Sequence, residues 1–136
     1  MFAERYRMAC NYLVSMLKLE SPFEWGNLSQ SISIVESASV PYHIEIIIGG
    51  GRVEYAPATN EAWESPKWKG KVNPNQGWIE RAIEKSLIVM RQLMSGVIQL
   101  EEVQALINNN ELAYLQSMNR VADEIALKEQ ARRLNR

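Results

Sequence analysis

The segment from Val40 to Tyr55 constrains the fold more tightly than any other. Val40 to Ile48 is β-branched and aromatic and it alternates, with Tyr42, Ile44, Ile46 and Ile48 on one face and His43, Glu45 and Ile47 on the other. Gly49-Gly50-Gly51 supplies residues that adopt positive φ without a steric penalty, as a tight hairpin needs, and Arg52 to Tyr55 returns with Val53 and Tyr55 on one face. Upstream, Leu28 to Val35 alternates again, Leu28, Ile32 and Ile34 against Ser29, Ser31 and Ser33. Three antiparallel strands are expected.

Helical periodicity flanks this sheet. Phe2, Tyr6, Ala9, Leu13, Met16 and Leu17 recur at helical spacing, and Ser21-Pro22 ends that helix because proline disfavours the helical region for the residue before it. Asn75 is a good cap for a second helix, whose stripe Ile79, Ala82, Ile83, Leu87, Met90, Leu93 and Met94 runs to a Ser95-Gly96 stop and packs on the sheet. Beyond it, Leu100 to Ile107 reads as a short helix, Asn108-Asn109-Asn110 as a break, and Glu111 to Leu134 as a long helix. In that last helix Leu115, Met118, Ala122 and Ile125 form a narrow stripe suited to lying on a partner. The class is α+β, with residues 1–96 as the core and residues 97–136 as a helical C-terminal arm.

A chain of 136 residues buries an ordinary core without staples, and a formal charge of −1 gives no electrostatic pull toward a polyanion. The single cysteine, Cys10, excludes an intrachain disulfide and a thiolate zinc site, so folding in a reducing cytoplasm is the simplest expectation. Glu4, Arg5, Arg7 and Lys18 interrupt the N-terminal apolar face, which therefore lacks the continuous run of a signal peptide or membrane span.

Between the hairpin and the second helix, Tyr55 to Ile79 spans a loop that carries Trp63, Trp68 and Trp78. Loops that long in compact domains serve a function or are disordered, and disordered linkers are poor in aromatics, so this one is expected to make contacts. Catalytic readings of the chain are weaker than their bland counterparts. His43 is the only histidine and has no partner visible in the sequence; Cys10 sits mid-helix as a small hydrophobe. Gly49-Gly50-Gly51-Arg52 leads into a strand, whereas a phosphate cradle leads into a helix. Glu45, Glu54, Glu61 and Glu64 offer carboxylates for a metal cluster at unspecific spacing. Lys67, Lys69 and Lys71 alternate beside Trp68, an arrangement able to meet a nucleic-acid backbone, but three lysines are a weak signal and a soluble loop whose tryptophan anchors into a protein neighbour explains it better. Arg132, Arg133 and Arg136 read as a solvated helix end favoured by the helix dipole.

The order of segments also resembles a known family. Pro22-Phe23-Glu24-Trp25-Gly26-Asn27-Leu28-Ser29-Gln30-Ser31-Ile32 is similar to the "P-x-D-T-G-x-L-x-x-S-I" segment of tailed-bacteriophage head–tail joining and tail-completion proteins. Tyr55-Ala56-Pro57 with Asn60-Glu61 is similar to their "Y-A-x-x-x-E", and Asn73-Pro74-Asn75 with Trp78 to their "N-P-x-x-W". The likeness covers roughly Phe2 to Gly96; Glu24-Trp25 departs from the family's Asp-Thr.

It implies a non-enzymatic virion protein, made in the host cytoplasm and assembled as a ring at the neck around the channel that DNA traverses. Neighbouring copies, portal or adaptor proteins and tail-terminator or tail-tube proteins would be its partners, with no cofactor, metal or membrane. Tyr55, Pro57, Asn60, Glu61, Trp63, Trp68, Asn73 and Pro74 would form the contact, and Lys67, Lys69 and Lys71 a passing DNA contact. The competing expectations are a small metal-dependent nuclease using Glu45, Glu54 and Glu61, and a nucleic-acid-binding module acting through Lys67 to Lys71.

Overall fold

The computed structural model describes residues 2–21, 33–37, 39, 42–48, 51–56, 65–70 and 77–134. Helix α1 spans Phe2–Glu20. Its sequence stripe is buried as expected at Tyr6, Ala9, Leu13 and Leu17, but Cys10, Tyr12 and Ser15 are buried too. The wider buried arc follows from its neighbours, because α1 meets two other helices as well as contributing to the core shared with the sheet. The helix closes at Ser21, whose amide and hydroxyl both donate to the Lys18 carbonyl, at 3.3 and 2.6 Å.

The sheet has four strands, one more than the alternation predicts. In order they are β1 (Ser33–Glu36), β2 (Ile44–Ile48), β3 (Gly51–Tyr55) and β4 (Lys67–Lys69), each antiparallel to the next. Residues 28–32 of the expected first strand lie outside the described residues, and the second strand starts at Ile44, four residues later than predicted. Pairing of β2 with β3 runs to Ile48 opposite Gly51, the register that a two-residue connection requires.

The added strand is explained by what lies beside it. Trp68 stands opposite Val53 on the core face, and its ring lies over Gly51 and Gly70. A Cβ on Gly51 would fall 2.3 Å from that ring, so the third glycine of the run is the one that admits the tryptophan. Ile44, Ile46, Ile48, Val53 and Tyr55 face inward against α1 and α2. Each fully buried aliphatic side chain among them contributes about 1.5 to 3 kcal/mol.

Ahead of β2, Tyr42 adopts φ +58°, a left-handed backbone unusual for an aromatic residue. Its ring meets Phe2 and Tyr6 edge-on, with centroids 4.7 and 5.3 Å apart, and this packing offsets the local strain.

Helix α2 (Gly77–Met94) buries Trp78, Ile79, Ala82, Ser86, Met90 and Leu93, and its most extensive neighbour is α1. Asn75, its expected cap, lies outside the described residues. The predicted stop holds: Gly96 at φ +80° donates to the Leu93 carbonyl at 3.2 Å while Val97 donates to Gln92 at 2.9 Å, a paired closure that glycine makes possible. Arg5 of α1 reaches across and donates to the carbonyls of Leu93 and Ile98, at 2.8 and 3.0 Å, at the negative end of α2.

Helix α3 (Leu100–Leu134) corrects the predicted break, for it continues unbroken through Asn108-Asn109-Asn110. Val103 and Ile107 are buried in the core and hold this part of the helix in place. Two of the asparagines find side-chain partners without leaving the helix: Gln104 donates to Asn108 Oδ1 at 2.9 Å, and Asn110 Nδ2 donates to Ser15 Oγ of α1 at 3.2 Å. At its start, the Gln99 amide donates to Glu102 Oε2 at 2.8 Å. From Asn119 to Leu134 every described residue is exposed.

Candidate functional site

Two surfaces of the sheet gather the residues singled out above. The first is its outer face. Alternation sends His43 and Glu45 outward from β2 and Arg52 and Glu54 outward from β3, and the register places Glu45 directly opposite Glu54. Two carboxylates so placed repel each other unless cations intervene. Arg52 Nε lies 3.5 Å from Glu45 and 3.1 Å from Glu54, and Lys69 Nζ, delivered by β4, lies 2.6 Å from Glu54. The Lys69 hydrogen bond above all, with Arg52 beside it, holds the Glu54 carboxyl below the usual carboxylate range. His43 Nε2 lies 3.9 Å from Glu45 Oε1, beyond hydrogen-bond reach.

His43 therefore has the neighbour that the sequence did not reveal. One ligand atom each from His43, Glu45 and Glu54 falls within 4.8 Å of the others. The signal was in the hairpin: once Ile48 is set opposite Gly51, Glu45 must fall opposite Glu54 on the histidine's face. A divalent ion held there would have to displace Arg52 and Lys69, which already neutralise the pair. Glu61 and Glu64 lie outside the described residues.

The second surface is the free edge at β1. Ile34 shares the core face with its partner Ile46, and Val35 shares the outer face with Glu45. All four residues of β1 are nevertheless exposed, Ile34 at 44% and Val35 at 46%. The helices do not reach over this strand, so its apolar side chains and its outer row of backbone groups are left without cover among the described residues. Glu36, beyond the predicted strand end, places one charge on this edge.

The predicted contact residues of the loop separate. Tyr55 is fully buried and stacks on Tyr6 with centroids 5.6 Å apart, so it serves the core and presents nothing to a partner. Trp68 is half-buried on the core face of β4, a strand residue and not a free loop anchor. Trp78 is buried at the start of α2. Of the lysines, Lys69 is bound to Glu54 and Lys67 is exposed. Pro57, Asn60, Glu61, Trp63, Lys71, Asn73 and Pro74 lie outside the described residues.

Cys10 behaves as a buried small hydrophobe. Burial pushes its thiol up to about 12, and burial likewise raises the phenols of Tyr6 and Tyr55 above their ordinary range. Among the described residues no helix is long and apolar enough to cross a membrane. No family model matches the chain, and neither the curated proteins nor the solved structures contain a match to it.

Proposed function

We propose that this chain is a structural assembly subunit whose unfinished sheet edge is completed by another polypeptide. More specifically, it is a ring-forming subunit at the neck of a tailed-phage virion, in the head–tail connection or the tail completion, with DNA passing through the ring. The observation that carries the first statement is β1, an edge strand that exposes Ile34 and Val35 while its neighbour β2 is buried on the core side. The ordered motifs between Pro22 and Trp78 carry the second. Near-neutral charge suits a channel subunit, since a strongly basic wall would retain DNA by counterion release. Size-exclusion chromatography with light scattering, on the purified chain alone and mixed with portal and tail partners, tests the reading. A persistent monomer that binds none of them overturns it.

A second reading, metal-assisted hydrolysis of DNA, draws on the proximity of His43, Glu45 and Glu54. The test is incubation with several DNA substrates and magnesium or manganese, and absence of cleavage disposes of it.

A further inference from the structure

We propose that copies of this chain join head to tail through their sheets, β1 of one copy pairing antiparallel with β4 of the next, an inference that rests on the ring reading above. Strand number is the first argument. In a meander of four strands the two edges run in opposite directions, so a second copy set alongside in the same orientation offers its β1 antiparallel to β4. A three-stranded meander would offer a parallel pair, which is slightly less stable per residue.

Matching faces is the second. Trp68 points to the core side with Val53, and Ile34 points to the core side with Ile46. A continuous sheet keeps core side with core side, which admits Ile34 or Glu36 of the next copy opposite Trp68, and the apolar match is Ile34. Among the described residues Trp68 is half-buried and Ile34 exposed, and an aromatic against a β-branched residue is a stabilising cross-strand pair. The same register sets Lys67 opposite Val35 of the next copy on the outer face.

Charge is the third. Edge β4 carries Lys67 and Lys69, while edge β1 carries Glu36. Pairing β4 with β4 brings the outer-face lysines together, which the unlike pairing avoids; Glu36, on the core face with Ile34, meets no lysine in this register. Lysines on an edge strand discourage pairing with an identical edge. An unlike pairing is heterologous, so it propagates from copy to copy and closes only as a ring.

The test uses two full-length single variants, Val35→Cys and Lys67→Cys, both at exposed positions, with the buried Cys10 retained. Residues directly opposite in an antiparallel pair stand about 4.5 to 5.5 Å apart between Cα atoms, within disulfide reach. Under mild oxidation a disulfide-linked dimer is expected in the mixture of the two variants and lost when either is omitted. A dimer from Val35→Cys alone reveals a two-fold β1 pair and overturns the proposal. If light scattering shows an assembly but the mixture does not cross-link, the sheet joint is overturned while the ring reading survives. If no assembly forms under any condition, the ring reading fails and the joint with it.

Discussion

Replacing Gly51 by alanine probes the close approach of the Trp68 ring to β3. The added methyl would lie 2.3 Å from the Trp68 ring and 3.0 Å from the Lys69 carbonyl, so the tryptophan must move or β4 must leave β3. Overpacking of this kind costs about 1 to 3 kcal/mol. Trp68→Ala removes a half-buried ring; complete removal of a core tryptophan costs about 3 to 5 kcal/mol, so about 2 kcal/mol is expected here.

The informative measurement is the double variant. With the ring gone, the alanine at position 51 meets no aromatic, and alanine in a strand is favoured over glycine by about 0.5 to 1 kcal/mol. Gly51→Ala should therefore be harmful in the native background and neutral or mildly stabilising in the Trp68→Ala background. Urea unfolding followed by circular dichroism, at a concentration where light scattering shows a single species, supplies the four free energies of the cycle. Strict additivity would refute the claim that Trp68 is why residue 51 must be glycine. A Trp68→Ala chain as stable as the parent would return Trp68 to the role of a free anchor.

Three further outcomes are expected. Because Cys10, Tyr6, Tyr12 and Tyr55 all titrate above their ordinary values when folded, the unfolded chain loses these protons first as pH rises. Stability is therefore full below about pH 8.5 and falls on going alkaline, by about 1.4 kcal/mol per pH unit for each group that is ionised only in the unfolded state; denaturant midpoints that stay constant between neutral and strongly alkaline pH would contradict this. Arg5→Ala removes two charged hydrogen bonds at the end of α2 and should lower stability by about 1 to 2 kcal/mol without altering the sheet, as read by thermal unfolding. Truncation after Met118 removes helix whose described residues are all exposed, so it should lower the helical signal while shifting the unfolding free energy by less than about 0.5 kcal/mol, and a larger shift would show that the arm supports the fold.

The hairpin and two of the three helices were legible because alternation and 3.6-residue periodicity are local signals, and residues such as Ile44, Ile46, Ala82 and Leu93 obey them. Strand β4 was not, since Lys67-Trp68-Lys69 is too short to show a period and owes its conformation to Val53 and Gly51, distant in sequence. Asn108 to Asn110 misled for the converse reason. Their local preference for turns is worth a few tenths of a kcal/mol each, and burial of Val103 and Ile107 with the Asn110–Ser15 hydrogen bond outweighs it. The β1 edge was legible as a strand with little charge, but its lack of a helical cover could be seen only once α1 and α2 had positions. The His43–Glu45–Glu54 grouping needed the hairpin register, which the glycines specify.

The unaccompanied end of α3 gives the molecule a lever. From Asn119 to Leu134 the helix extends about 24 Å past the last residues that α1 steadies. The packed first half is a permanent nucleus, so the arm avoids the initiation penalty that makes short isolated helices marginal. A tilt of about 5° at the Asn110–Ser15 contact, about 36 Å from Leu134 along the helix, would carry the tip roughly 3 Å. Small rotations of the body would thus be amplified at Arg132 and Arg133, and a force applied at the tip would be returned to α1 with the same mechanical advantage.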